Sequence, residues 1–264
     1  MRLLRRSDIR LLATALIGGL VSCTQAGPAV SLPSETRAEI CPEDALGVSR
    51  TLVLGLDSLP AHDLLSRKEV ILTFDDGPHP VRTVRVLNAL ASECVTATFF
   101  LIGENAAKHP EMVRKITDRG HNLGGHTRTH RRMTDLPLAE AQADILAGQD
   151  KIEAAYENAE AALPIAFFRY PFLASSPELD AFLVDNKLIR MDVTTDGSDW
   201  SDITGPEIID NVMAGLAARD EKGVILLHDP SWVSSHIVGQ LLDRLKAEGY
   251  SVVAIRSEGN ETAS

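Results

Sequence analysis

The chain has 264 residues, 44% of them apolar, and a formal net charge of −11. That length suits one domain of about 200 residues plus an extension, and the composition excludes a disordered protein. The acidic balance argues against nucleic acid or an anionic polymer as the main partner, and no repeat of solenoid period is visible.

The first 22 residues read as a targeting segment. Arg2, Arg5, Arg6 and Arg10 precede an apolar stretch, Leu11 to Val21, that is short for a membrane-spanning helix. Leu20-Val21-Ser22-Cys23 resembles a bacterial lipobox, in which Cys23 is lipidated and becomes the new N-terminus; the alternative is ordinary cleavage after Ala26. The expectation is an exported protein, lipid-anchored and periplasm-facing on a bacterial membrane. Loss of residues 1–22 removes four arginines and one aspartate, leaving a mature charge of about −14. Cys41 and Cys94 then remain as an even pair in an oxidising compartment, which predicts a disulfide between them. Residues 23–49, with Pro28, Pro33 and Pro42, read as a tether.

Beyond the tether, strand-like and helix-like segments alternate. Arg50–Leu56 and Val70–Phe74 read as strands, the latter followed by a helix from Thr83 to Glu93. Ala97–Ile102 is a strand, and Pro110 opens a helix with Met112, Val113 and Ile116 on one face. His121–Gly124 is a short strand. Pro137–Ala162 is a long helix with Leu138, Ala141, Ile145, Ile152 and Tyr156 near one stripe. Ile165–Phe168, Leu188–Val193, Val224–Leu227 and Tyr250–Ile255 are further strands, separated by helices from Pro177, Pro206 and Ser235. Such alternation means a parallel sheet with covering helices, and periodicity does not choose between an open sheet and a barrel.

Two clusters carry the chemistry. Thr73-Phe74-Asp75-Asp76-Gly77-Pro78 ends the apolar run Val70-Ile71-Leu72, and adjacent carboxylates at the mouth of a buried strand are costly unless a cation or proton compensates them. About fifty residues later comes His126-Thr127-Arg128-Thr129-His130, and two histidines four apart on one face of a helical turn can meet one ion. The preceding Gly124-Gly125 would let a ligand approach the backbone. One carboxylate and two imidazoles make a three-ligand zinc site with room for water, and the second carboxylate is free to act as a base. This reads as a metal-dependent hydrolase.

Three further motifs complete an ordered set: Arg169-Tyr170-Pro171-Phe172, Asp196-Gly197-Ser198-Asp199-Trp200 and Ile225-Leu226-Leu227-His228. With Thr73–Pro78 and His126–His130, they make the chain resemble the polysaccharide deacetylase family, whose prototype is the nodulation chitooligosaccharide deacetylase. The only departure is Ile225 where the family has Leu. The resemblance covers residues 70–256, leaving 50–69 as an N-terminal extension packing on that domain and 257–264 as a tail. It implies an α/β fold, a distorted (β/α) barrel of about seven strands in a single catalytic domain.

The resemblance also implies roles. Asp76, His126 and His130 would hold a divalent metal, Zn²⁺ or alternatively Co²⁺. Asp75 would be the base, ion-paired with Arg169, and the backbone N–H of Tyr170 would help hold the oxyanion. His228 would be the general acid, oriented by Asp199, although Asp196 and Asp202 lie near enough in sequence to leave that register open. Trp200 would stack on a sugar or wall the acetyl pocket, and Leu226 would receive the acetyl methyl. The implied reaction removes N-acetyl groups from a GlcNAc-containing polysaccharide (peptidoglycan, chitin oligomer or poly-GlcNAc), with the protein a monomer, held to the membrane by its lipid and without nucleic-acid partners. An O-acetyl esterase acting on xylan-like chains shares the motifs. A catalytically silent glycan-binding lipoprotein would be expected to have lost a ligand, the base or the acid, and none is missing here.

Overall fold

The computed structural model of the protein describes residues 41–156 and 165–258; the targeting segment, Cys23, most of the tether and residues beyond 258 lie outside these. Nine strands are present among the described residues: β1 (Val48–Leu54), β2 (Glu69–Asp75), β3 (Thr98–Leu101), β4 (Asn122–Gly125), β5 (Phe167–Phe168), β6 (Ile189–Arg190), β7 (Thr195–Asp196), β8 (Gly223–His228) and β9 (Ser251–Ser257). Between them run α1 (Arg82–Ser92), α2 (Gly103–Lys108), α3 (Pro110–Asp118), α4 (Leu138–Tyr156), α5 (Pro177–Asp185), α6 (Gly205–Ala217) and α7 (Trp232–Ala247).

Every strand pairing is parallel, and seven strands follow in the order β6-β5-β4-β3-β2-β8-β7. Among the described residues no ladder joins β6 to β7, so the barrel is nearly closed, as the resemblance implied. β9 pairs only with Glu69 and Val70 at the start of β2, on the edge that β3 takes further along, and β1 pairs with β9.

The alternation of side chains along a strand explains why the barrel strands are apolar throughout: both faces are buried. Val70, Leu72 and Phe74 of β2 join Ile225 and Leu227 of β8 in the layer beneath the helices. Ile71 and Val224 face the opposite way, into a second cluster with Phe100, Phe167 and Met191, sealed by Leu54, Ala61 and Leu65 from the segment before β2. The inward row of β2 and β8 therefore continues as Thr73 with Leu226 and ends with Asp75 beside His228. Sequence alternation thus delivers a polar pair to the C-terminal mouth of an otherwise apolar interior.

Cys41 and Cys94 form the expected disulfide. It lies after α1 and before β3, at the end of the barrel opposite the mouth, where Gly47 N–H also donates to the Glu93 carbonyl at 2.9 Å. The helices begin close to their sequence signals. Pro110 and Pro177 open α3 and α5, and Ser176 and Ser231 cap α5 and α7 with their side chains. The stretch Asn105–Pro110 is largely the short helix α2.

Candidate active site

Asp75, the last residue of β2, is in register with His228, the last residue of β8. Register partners on adjacent parallel strands project to the same face, so a carboxylate and an imidazole enter the mouth side by side. Asp75 is buried and would be costly to ionise alone. Arg169, just past β5, supplies the partner the sequence led us to expect: Nη1 donates to Asp75 Oδ1 at 2.7 Å. The same nitrogen donates to Thr73 Oγ1 at 2.8 Å, and the guanidinium, with no exposed surface, lies 4.2 Å from the Phe100 ring centre. Nε and Nη2 donate to the carbonyls of Met191 and Asp192, both at 3.3 Å. Those carbonyls belong to the connection between β6 and β7, so Arg169 bridges the gap in the barrel while it aims Asp75.

Asp76 leaves the strand with φ +72, a left-handed conformation that Asp tolerates, and this turns its carboxylate away from that of Asp75. Its Oδ1 is buried without a hydrogen bond, 3.4 Å from His126 Nε2 and 3.1 Å from His130 Nε2. His126 Nδ1 lies 2.7 Å from the Arg169 carbonyl, which can only accept, so the proton sits on Nδ1 and Nε2 offers its lone pair toward Asp76. Donor atoms of Asp76, His126 and His130 all lie within 4.8 Å of one another. Burial pushes the Asp76 carboxyl upward, but the attraction of His126, His130 and His228 outweighs it and holds the group below its ordinary range. Burial lowers His130, against the pull of Asp76, which favours the neutral ring that a metal requires. An orphaned buried carboxylate oxygen facing two imidazole nitrogens suits a divalent ion of nitrogen and oxygen preference, and the residues fit it.

Two expectations about this loop need correction. The histidines do not share a helical turn: Thr127 and His130 have φ of +64 and +59, and the rings meet at 5.0 Å through a left-handed loop. A spacing of four fits either backbone, and the loop is fixed by distant contacts: Gly103 and Glu104 N–H groups donate to the Thr127 and Arg128 carbonyls at 2.9 and 3.1 Å. Gly124 and Gly125 are also not there for a ligand. A Cβ on Gly124 would strike the Phe100 ring, and one on Gly125 the Gln149 amide.

Across the mouth, the Asp199 carboxylate, whose side chain is fully buried, takes His228 Nδ1 at 2.7 Å and the His228 backbone N–H at 2.8 Å. It also accepts from Ser234 Oγ of α7. Burial opposes protonation of His228, but Asp199, reinforced by the charges of Asp75 and Asp76, raises it to about 9. With Nδ1 committed to Asp199, Nε2 is the atom available to a substrate. Asp196 is occupied elsewhere, accepting from Ser198 N–H at 2.7 Å and Trp200 Nε1 at 3.2 Å, which settles the register in favour of Asp199. Trp200 is 69% exposed, so it is a surface platform and not a packed core residue. Leu226 is buried one inward layer below His228, and the Tyr170 backbone N–H has no hydrogen-bond acceptor among the described residues.

Sequence reasoning missed several supporting groups. Thr73 relays between Arg169 and the Ile225 carbonyl, which it reaches at 2.6 Å. Asn105 Nδ2 donates to the Asp76 carbonyl at 3.0 Å. Asp229, fully buried after His228, accepts from Thr83 Oγ1 and presses on Gly77, where a Cβ would collide with it; burial raises it to about 7. Its only signal in the sequence is an acid following an apolar strand.

A nearly closed barrel with a three-donor metal set at its mouth, flanked by a carboxylate on one strand and an acid-capable imidazole on the next, is the framework of a barrel hydrolase. Comparison with known proteins narrows this. The family model described as Polysaccharide deacetylase matches residues 63–187. A chitooligosaccharide deacetylase from Bradyrhizobium sp. is 32% identical over 167 residues, 63% of this chain and 73% of that protein. A peptidoglycan-N-acetylglucosamine deacetylase from Bacillus cereus is 29% identical over 198 residues, covering 73% of this chain and 68% of that one. Among solved structures, a peptidoglycan deacetylase from Bdellovibrio bacteriovorus superposes with a TM-score of 0.66 at 28% identity, over 83% of this chain and 58% of that one. The chain belongs to the polysaccharide deacetylase family.

Proposed function

We propose that this protein hydrolyses N-acetyl groups of a GlcNAc-containing polysaccharide in the bacterial envelope, using a divalent ion, Zn²⁺ by preference, held by Asp76, His126 and His130. The observation that carries the reading is the pairing of Asp75 with His228 across adjacent strands, with the three donors beside them. When bound at Asp76, His126 and His130, such an ion would supply Lewis acidity toward water and the acetyl carbonyl near neutral pH. Asp75, kept ionised and aimed by Arg169, accepts a proton from the attacking water. The free Tyr170 N–H is a donor for the developing oxyanion, and one such donor is typically worth about 10²–10³ in rate. His228, positioned by Asp199, gives its Nε2 proton to the departing sugar nitrogen, so acetate and a neutral amine leave. The curated relatives named above act on chitin oligomers and peptidoglycan, and this supports an N-acetylated glycan as substrate. The lipobox-like Leu20–Cys23 supports an anchor on a periplasm-facing membrane surface.

The test is acetate release by the purified protein from GlcNAc oligomers, peptidoglycan and acetylated xylan, with Zn²⁺ or Co²⁺ and a chelator control. Release from a GlcNAc polymer, abolished by chelator and by Asp75→Asn, is the expected result. Release only from acetylated xylan would replace the amidase with an ester hydrolase. No release from a protein with metal bound would move the reading to glycan binding.

A further inference from the structure

The left-handed His126–His130 loop has one internal tie, His130 N–H to Thr127 Oγ1 at 3.1 Å, and α2 takes its carbonyls; a further anchor lies on α4, outside every motif. Asp144 is buried, and its side-chain hydrogen bonds go to Arg128 and Thr129, between the two histidines, and to Arg131 just after them. Its carboxylate accepts from the backbone N–H groups of Arg128 and Thr129, at 3.2 and 3.3 Å. It also accepts from Thr129 Oγ1 at 3.1 Å, Arg128 Nε at 3.3 Å and Arg131 Nη2 at 3.5 Å. Its backbone carbonyl takes the Arg128 N–H as well, at 3.0 Å. One turn further along α4, Gly148 brings the helix against the same loop: a Cβ there would sit 2.7 Å from the Thr127 carbonyl oxygen and 2.8 Å from the Arg128 nitrogen. Thr127 is β-branched and held at φ +64, a conformation that persists only where the surroundings over-determine it.

We propose that Asp144 is the positioning residue of the metal centre: from α4 its carboxylate fixes the strained loop that aims His126 and His130 at Asp76. It touches neither the metal donors nor the reacting atoms. This rests on the metal-site reading above, and the two fail in different ways. Outer partners of metal ligands typically govern affinity by about 10–100-fold.

The experiment is titration of the metal-free full-length protein with Zn²⁺ against a chromophoric chelator, together with the visible spectrum of the Co²⁺ form, for wild type, Asp144→Asn and Thr129→Val. Asp144→Asn replaces an acceptor of two backbone N–H groups with an amide, and a loss of Zn²⁺ affinity of about 10–100-fold with an altered Co²⁺ spectrum is expected. Thr129→Val keeps the carboxylate and its backbone bonds, so a smaller loss in the same direction is expected at an unchanged melting temperature of the metal-free protein. This variant also carries the test if Asp144→Asn does not fold. Wild-type affinity and spectrum in a folded Asp144→Asn, or in Thr129→Val if that alone folds, would overturn the role. A wild-type protein that binds neither ion would overturn the metal reading itself, and this role with it.

Discussion

His228 shows how a single pair sets a working pH. Its raised value comes from Asp199 against the resistance of burial, with Asp75 and Asp76 adding to it. A histidine whose folded value exceeds its unfolded one stabilises the fold fully below about 6.5, and that contribution is lost as pH rises through about 9. The same titration removes the proton that the leaving amine needs, so activity falls on the alkaline side. In Asp199→Asn the ring keeps a neighbour but loses the charge. The alkaline limb of the kcat/KM profile is therefore expected to move to lower pH, with a lower plateau. An unmoved limb in the variant would assign the titration to another group. The place of His228 at the mouth was legible because it follows an apolar run within an ordered motif. The sequence pointed to Asp199 as its partner but left the register open, because three aspartates lie within seven residues and only the fold shows that Trp200 and Ser198 engage Asp196.

At the scale of elements, what the sequence announced and what it hid divide along one line. Long strands such as β2 and β8 are continuous apolar runs and were readable, as were helices opened by proline or serine. β7 is Thr195-Asp196, two residues with no apolar run, and it exists because β8 offers it an edge. The six-residue α2 is polar and owes its place to the loops it supports, giving its N–H groups to Thr127 and Arg128 and Asn105 to Asp76. The left-handed histidine loop was misread as a helical turn because its determinants lie far off in sequence, on α2 and in Asp144 and Gly148 of α4. The Cys41–Cys94 bond was legible from counting cysteines. It spans 53 residues, so the loop entropy it removes from the unfolded chain is worth about 4 kcal/mol. We expect Cys94→Ser to lower unfolding free energy by about that amount in urea, with metal affinity retained, because the bond lies at the far end of the barrel from the donors. An unchanged midpoint would mean that the reduced chain is constrained by other means.

At the scale of the whole molecule, Arg169 is the one fully buried guanidinium among the described residues, and it serves as counter-charge to Asp75 and as a strap across the missing ladder. Under the proposed anchoring, Cys23→Ser is expected to shift the protein from the membrane fraction to the soluble envelope fraction without loss of acetate release. Unchanged partitioning would point to attachment by another route.

The position of the Cys41–Cys94 bond then has a geometric consequence. Residues 24–40 would form a leash of 17 residues between a lipidated Cys23 and the disulfide, with a fully stretched reach of about 60 Å. Under that anchoring the leash would join the domain at Cys41, whose disulfide lies at the floor of the barrel, whereas Asp75 and His228 open at its roof. A pull from the bilayer would then act on a covalently stapled base. The enzyme would graze glycan strands lying above the membrane within a hemisphere set by the leash, so shortening or lengthening residues 24–40 should retune which layer of the wall it reaches.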